Sequence, residues 1–293
     1  MYYLRLFDPW KSPLCTCPLK YSLQPYTGCT HRCLYCYASA YIGYRPSKPK
    51  RKFIVALESD LRKANKNIPV SMSNSSDPYP PEEEYFKLTH KALKLLARYG
   101  FKVLVVTKSD LVVRDLEVLR SMRASVSMTI TTLDDHLARR MEPYAPPPSR
   151  RLEALERLAK SNIPVSMRLD PIVPGLNDDP AMLEDLLELA VKRGIKHVVA
   201  STYKVRPDNF KRMILAFPDK ADLWRRLYFK EGTVVRGYRY LPKRLRVKLL
   251  RPVVEAARRL GITYATCREG LTDRYFFKAP SCDGSHLIKE SGD

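Results

Sequence analysis

Residues 102–132 read KVLVVTKSDLVVRDLEVLRSMRASVSMTITT: two β-rich runs with an amphipathic helical stretch between them. That is one βα unit followed by the next strand, and the same alternation continues outward in both directions. Strands are expected over 22–28, 68–74, 102–108, 124–131, 163–170 and 195–200, and helices over 82–99, 111–122, 150–161 and 179–193. In the last of these helices Leu183, Leu186, Leu187 and Ala190 recur at helical spacing, and Gly194 stands where a C-cap would. Six βα units are too few for a closed eight-stranded barrel, so the reading is an α/β fold, a partial (β/α)6 TIM-type barrel open on one side. Chemistry in such folds sits at the C-terminal strand ends. GCTHRC follows the first strand, NSSDPYPPE the second, TKSD the third and DPIVPGLND the fifth.

The flanks are less regular. RPSKPKRK at 45–52 is expected as an exposed loop. Beyond residue 204 the alternation fades into a basic, aromatic-rich and mostly helical extension, with helices expected near 219–229 and 242–260. The division is a core over 1–203 and an extension over 204–293 packed on it.

The chain has 293 residues and a net charge of +21. Between 204 and 259, 17 lysines and arginines face five acids. A surplus of that size suggests a polyanionic partner, nucleic acid first; a generally basic, soluble surface is the plainer account. WRRLYFK, RGYRY and PKRLRVKLLR interleave cations with Trp224, Tyr228, Phe229, Tyr238 and Tyr240, a pattern suited to phosphate contacts with base stacking. The same residues also fit a helix whose Leu245, Leu249 and Val253 pack inward. No apolar run reaches the roughly 20 residues of a spanning helix. The first residues lack the apolar core of a secretion signal. The expectation is a cytoplasmic monomer with no membrane contact.

Seven cysteines are present, and three form C-x3-C-x2-C in GCTHRCLYCY: Cys29, Cys33 and Cys36. Three thiolates on one short loop hold three corners of a cubane [4Fe–4S] cluster and leave the fourth iron without a protein ligand. That open iron can take S-adenosylmethionine (SAM) through its amino and carboxylate groups. Reduction then cleaves the sulfonium and gives a 5′-deoxyadenosyl radical, which abstracts a hydrogen. A zinc site would need a fourth ligand, and His31 sits inside the loop at an awkward spacing for it. Tyr35, just before the third cysteine, stands where an aromatic can pack on adenine.

These residues resemble the radical SAM superfamily. With YSLQPYTGCTHRCLYCYA, SNSSDPYPPEE, VLVVTKSDLVVRDLEVL, VSMTITTLDD and VSMRLDPIVPGLND, the chain is similar to the branch that includes spore photoproduct lyase and relatives known as DNA repair photolyases. The likeness runs from about residue 20 to 200. It implies Cys29, Cys33 and Cys36 as cluster ligands, with Ser75, Ser76, Asp77, Lys108, Ser127 and Arg168 toward SAM, Arg168 also toward substrate. It also implies a one-electron donor such as ferredoxin or flavodoxin. Spore photoproduct lyases carry a thiol in the second-strand motif that returns hydrogen to the product. Asn74 stands there in this chain, so another donor is needed: Cys267, a tyrosine (Tyr37, Tyr79 or Tyr203) or SAM itself.

PSCDGSH around Cys282 partly resembles the CDGSH iron–sulfur motif. If the two ends of the chain meet, some of Cys15, Cys17, Cys267, Cys282 and His286 would hold an auxiliary iron–sulfur cluster or zinc. The leading reading is a radical SAM enzyme acting on nucleic acid in repair or modification. The alternatives are a radical SAM enzyme acting on a peptide or small metabolite, and a non-catalytic, metal-stabilised nucleic-acid-binding protein.

Overall fold

The computed structural model describes residues 1–7 and 12–288. Eight strands form one sheet: β1 (Arg5–Leu6), β2 (Tyr21–Leu23), β3 (Val70–Met72), β4 (Val103–Thr107), β5 (Ala124–Thr129), β6 (Val165–Ile172), β7 (His197–Thr202) and β8 (Thr263–Thr266). They lie in sequence order across the sheet. β1 is antiparallel to β2, and every other neighbouring pair is parallel. With helices between the strands, this is the expected partial barrel, with β1 and β8 as its edges.

β3 to β7 fall within or across the expected strands. The first expected strand breaks in two, because Pro25 has no N–H for the ladder. Tyr21–Leu23 joins the sheet, and Tyr26–Thr27 pairs instead with Lys48–Pro49. RPSKPKRK is therefore not simply an exposed loop: Ser47 is buried and the segment lies over the cysteine loop. The helix expected over 82–99 is interrupted at Lys87, whose φ is +51°, giving Glu83–Phe86 and Leu88–Arg98.

Beyond residue 204 the structure adds what the sequence pattern hid. Helix Pro207–Ala216 packs beside the cysteine loop, and β8 extends the sheet parallel to β7. β8 reads TYAT, too short and polar to stand out as a strand. The helix before it, Lys243–Arg259, carries Pro252 inside, which costs about 3 kcal/mol. Leu249, Leu250, Val253 and Val254 are buried along it. Each contributes about 1.5–3 kcal/mol, so packing outweighs the proline. Trp224, Tyr228, Tyr238 and Tyr240 are buried too, and of the five aromatics expected to stack on bases only Phe229 is exposed, 44% of it. The interleaved pattern serves this packing: Trp224 Nε1 donates to Pro174 O at 2.9 Å and Tyr228 OH to Tyr203 O at 2.9 Å. Among the described residues no helix is long and apolar enough to cross a membrane.

Candidate active site

The C-terminal strand ends converge on one cavity of about 200 Å³. Its wall includes Asn74 and Asp77 after β3, Lys108 after β4, Thr129 at the end of β5, Arg168 and Asp170 on β6, Lys204 after β7 and Cys267 after β8. Cys36, Tyr35 and Tyr37 enter from the cysteine loop.

That loop is held from several sides. Gly28, at φ +73°, lets the chain pass so close to 45–46 that a Cβ would lie 2.3 Å from Pro46 O. Cys29 N donates to Arg45 O at 2.9 Å, and Thr30 N to Ser47 Oγ at 3.0 Å. Two tight turns, Arg32 N to Cys29 O and Cys36 N to Cys33 O, both 3.2 Å, shape the triad. From the extension, Asn209 Nδ2 donates to Tyr35 O at 3.0 Å, and Arg212 to the carbonyls of Leu34 and Cys36, each at 3.1 Å. All three cysteines are free. Burial pushes the Cys29 thiol up to about 12, with Asp77 adding to it, and raises Cys33 further. A bound cation would reverse that order by stabilising the thiolates.

Asp77 faces inward to the protein. Thr107 Oγ1 donates to it at 2.6 Å, Lys108 N at 2.8 Å and Tyr79 N at 2.9 Å. Burial opposes its charge, but His31, the Thr107 hydroxyl and the Lys108 amide hold the carboxyl down to about 2. His31 is turned away from a thiol set: Nδ1 lies 3.2 Å from Tyr144 O, and Nε2 lies 3.4 Å from Asp77. Ser75 lines the cavity, in a segment where Ser73 adopts φ +78°, a strained value for a non-glycine. Ser76 Oγ is buried with no hydrogen-bond partner, and so is Ser127 Oγ, on the same face of β5 as Thr129.

Lys108 Nζ lies 5.5 Å from the centre of the Tyr35 ring. Burial works against its charge, yet Cys33 and Glu142 raise it above the ordinary lysine value. Glu142 accepts the Tyr35 hydroxyl and pairs with the buried Arg151 at 2.5 Å. Sequence reasoning missed both, although they sit in MEPYAPPPSRR; a carboxylate and an arginine nine residues apart give no spacing signal. Arg168 pairs with Asp170 at 2.9 Å, and burial notwithstanding, Arg168 and Lys204 keep Asp170 down to about 2.

The other cysteines converge as well. Cys15, Cys17, Cys267 and Cys282 all line the cavity. Cys282 Sγ lies 3.6 Å from Cys17 Sγ. Hydrogen bonds from Cys15 and Cys282 hold Cys17 well below the usual thiol value. Beside them, buried Lys20 pairs with Asp283, a contact the sequence did not suggest. His286 is not brought to these thiols. Its ring nitrogens face Ser281 Oγ at 2.8 Å and Thr263 Oγ1 at 3.2 Å. Of the tyrosines considered as hydrogen donors, Tyr37 and Tyr203 line the cavity, while Tyr79 is bonded to Asp115 at 2.9 Å behind it.

A partial barrel with three free cysteines on the loop after its first parallel strand, and a cavity at the strand ends, is the arrangement of an enzyme that couples an iron–sulfur centre to SAM. The chain belongs to the radical SAM superfamily, whose family model matches residues 23–190. An uncharacterized protein of Methanocaldococcus jannaschii is 31% identical over 200 residues, covering 63% of this chain and 76% of that one. Radical SAM Nalpha-GlyT isomerase of Pseudomonas phage M6 is 23% identical over 264 residues, 84% of this chain but 53% of its own length. Among solved structures, a spore photoproduct lyase mutant with bound AdoMet and dinucleoside spore photoproduct matches with a TM-score of 0.67 at 14% identity, over 88% of this chain and 79% of that one. At that identity the likeness is one of fold.

Proposed function

We propose that Cys29, Cys33 and Cys36 hold a [4Fe–4S] cluster with one iron left for SAM, and that the enzyme acts on a hydrogen in a nucleic acid. The observation carrying the first half is the cysteine loop: three free thiols, fixed in tight turns, with Cys36 opening on the cavity. The surroundings fit the pair. The Lys108 ammonium and the Ser75 hydroxyl line the cavity as donors suited to a carboxylate, with the Tyr35 ring beside them; Ser76 and Ser127, whose buried hydroxyls lack partners, do not line it. When bound, the cluster and SAM supply one-electron cleavage of the sulfonium and a 5′-deoxyadenosyl radical.

The chain's own residues do the rest. Asp77 fixes the segment before Tyr79 against β4, so Ser75 and Ser76 are held rather than free to move. Glu142, held by Arg151, orients Tyr35 and favours a positive charge on Lys108. Arg168, steadied by Asp170, presents a guanidinium to the cavity and suits a phosphate or carboxylate. The strand ends wall the cavity from below, and a ligand filling it would limit water at a reactive site.

Support for nucleic acid is the charge of +21 and the likeness in fold to a lyase solved with a dinucleoside photoproduct. The phage isomerase relative is named for a different reaction, so the class of reaction stays open within that substrate reading. With the aromatics buried, phosphate contacts carry the reading rather than stacking. The test is anaerobic reconstitution with SAM and dithionite, scoring 5′-deoxyadenosine against Cys33→Ala. Formation lost in the variant supports the cluster assignment; zinc in place of iron, with no product, overturns it. Binding to short DNA and RNA should weaken steeply with salt. Undetectable binding at low salt, or binding indifferent to salt, removes the nucleic-acid half.

A further inference from the structure

Four cysteines outside the triad reach one cavity from three separate stretches of chain: Cys15 and Cys17 before β2, Cys267 just after β8, and Cys282 in the final turn. None is in a disulfide. Cys17 Sγ lies 3.6 Å from Cys282 Sγ, and Cys15, two residues from Cys17, and Cys267 both interact electrostatically with Cys17. Lone buried cysteines behave as small inert hydrophobes and need no charged neighbours. This group has them. Lys20 is buried beside Cys17 and Cys282, while Arg168 and Lys204 act on Cys267. A lysine is almost never fully buried unless paired, and Asp283 pairs this one from the residue next to Cys282.

The backbone round the group is equally constrained. Gly284 adopts φ +83°, and a Cβ there would meet Ser166 Oγ at 2.8 Å. Ser285 N donates to Asp283 at 3.1 Å, and His286 N to Ser281 Oγ at 3.1 Å. The His197 ring stands 3.3 Å from Cys282 O. Cys282 is thus presented by a tightly wrapped turn rather than a loose end.

We propose that Cys15, Cys17, Cys267 and Cys282 hold a second thiolate-bound metal centre, an iron–sulfur cluster or zinc, in the same cavity as the first. Thiolates on one tetrahedral metal, with bonds of about 2.3 Å, stand roughly 3.8 Å apart. The 3.6 Å between Cys17 and Cys282 suits two ligands of one metal atom. Among the described residues no three His, Cys, Asp or Glu side chains stand ready round a single ion, and this is as true of the Cys29 triad as of the four. The sulfurs stand in a metal-free arrangement, and a bound metal would displace the thiol protons that remain. Of the two roles the sequence offered Cys267, hydrogen donor and metal ligand, the proposal takes the second. His286 is left out, its nitrogens turned to Ser281 and Thr263. The two chemistries share a thiolate ligand set, and metal analysis separates them.

The proposal does not depend on the SAM reaction, and the experiment keeps the two apart. The full chain is purified anaerobically, reconstituted, and assayed for iron, sulfide and zinc in three forms: unaltered, Cys29→Ala/Cys33→Ala/Cys36→Ala, and Cys17→Ser/Cys282→Ser. The triad variant should retain iron with sulfide, or zinc. The Cys17/Cys282 variant should lose the zinc, or whatever iron exceeds about four per chain, and retention of those four irons shows that it has folded. A triad variant with no metal, or a Cys17/Cys282 variant with unchanged metal content, overturns the proposal. So does mass spectrometry that finds a Cys17–Cys282 disulfide where the metal should be. A chain that makes no 5′-deoxyadenosine while its triad variant still binds metal sinks the enzyme reading and leaves the second centre standing.

Discussion

Gly28→Ala should destabilise the cysteine loop by an amount that can be worked from two glycines. Gly28 and Gly100 both sit at φ +73°, so alanine at either meets the same left-handed penalty of about 1–2 kcal/mol. Gly100 has nothing within 4 Å of a built Cβ, whereas at Gly28 that atom falls 2.3 Å from Pro46 O and 2.9 Å from Arg45 O. Both are backbone oxygens of the segment paired with Tyr26–Thr27, so neither can rotate aside as a side chain would. Overpacking of this kind adds roughly 1–3 kcal/mol. Gly28→Ala should therefore cost about 2–5 kcal/mol in total. At about 2–4 °C per kcal/mol the added clash separates the two variants by roughly 2–12 °C in Tm. Thermal unfolding of the metal-free chain reads it directly, and iron content after reconstitution should fall in Gly28→Ala alone. Equal melting temperatures for the two variants would refute the idea that segment 45–52 clamps the loop.

Glu142→Gln leaves Arg151 buried without its partner and should cost about 3–5 kcal/mol in denaturant unfolding, whereas a loss under about 1 kcal/mol would mean the pair is solvated. Asp77 and Asp170 are each held down to about 2, below the unfolded value of about 3.9, so their contribution is full above about pH 4 and is lost as pH falls toward 2. Unfolding followed between those limits should show a slope that Asp77→Asn flattens; an unchanged slope sinks the assignment. Lys108→Met should lower 5′-deoxyadenosine formation by roughly 10- to 100-fold, the worth of about 1.5–3 kcal/mol in a charged contact. Full activity would reduce Lys108 to an incidental strand end. Trp224→Ala should cost about 3–5 kcal/mol of stability and leave nucleic-acid affinity alone, because the ring is buried. A selective loss of binding would restore the stacking idea.

What the sequence made legible was whatever local pattern determines. The apolar run of β4 and the β-rich alternation ASVSMT of β5 announce strands without help from the rest of the chain, and C-x3-C-x2-C compresses three cysteines into eight residues. What escaped depends on distant partners. β8 is four residues of modest propensity that become a strand because β7 offers a parallel edge. Lys20 and Asp283, 263 residues apart, leave no trace in any window of sequence. The aromatics between 224 and 240 misled for a related reason. Alternating cations and rings describe a stacking platform and a basic-faced packing layer equally well, and only burial separates the two.

The same long-range logic explains how a half-open barrel walls its cavity on the side between its edge strands. β1 and β8 are opposite edges of the sheet, and a gap between them would admit water to the strand ends. The chain fills that side with segments from both of its ends. Phe7, Cys17 and Lys20 arrive from one and Arg268, Cys282 and Asp283 from the other, and all six line the cavity. They are joined by a buried ion pair and by a sulfur–sulfur contact, interactions whose strength depends on exclusion of water. Metal at the four cysteines would turn that contact into a covalent bridge, so the walling of the cavity and the loading of the proposed second centre would rise and fall together.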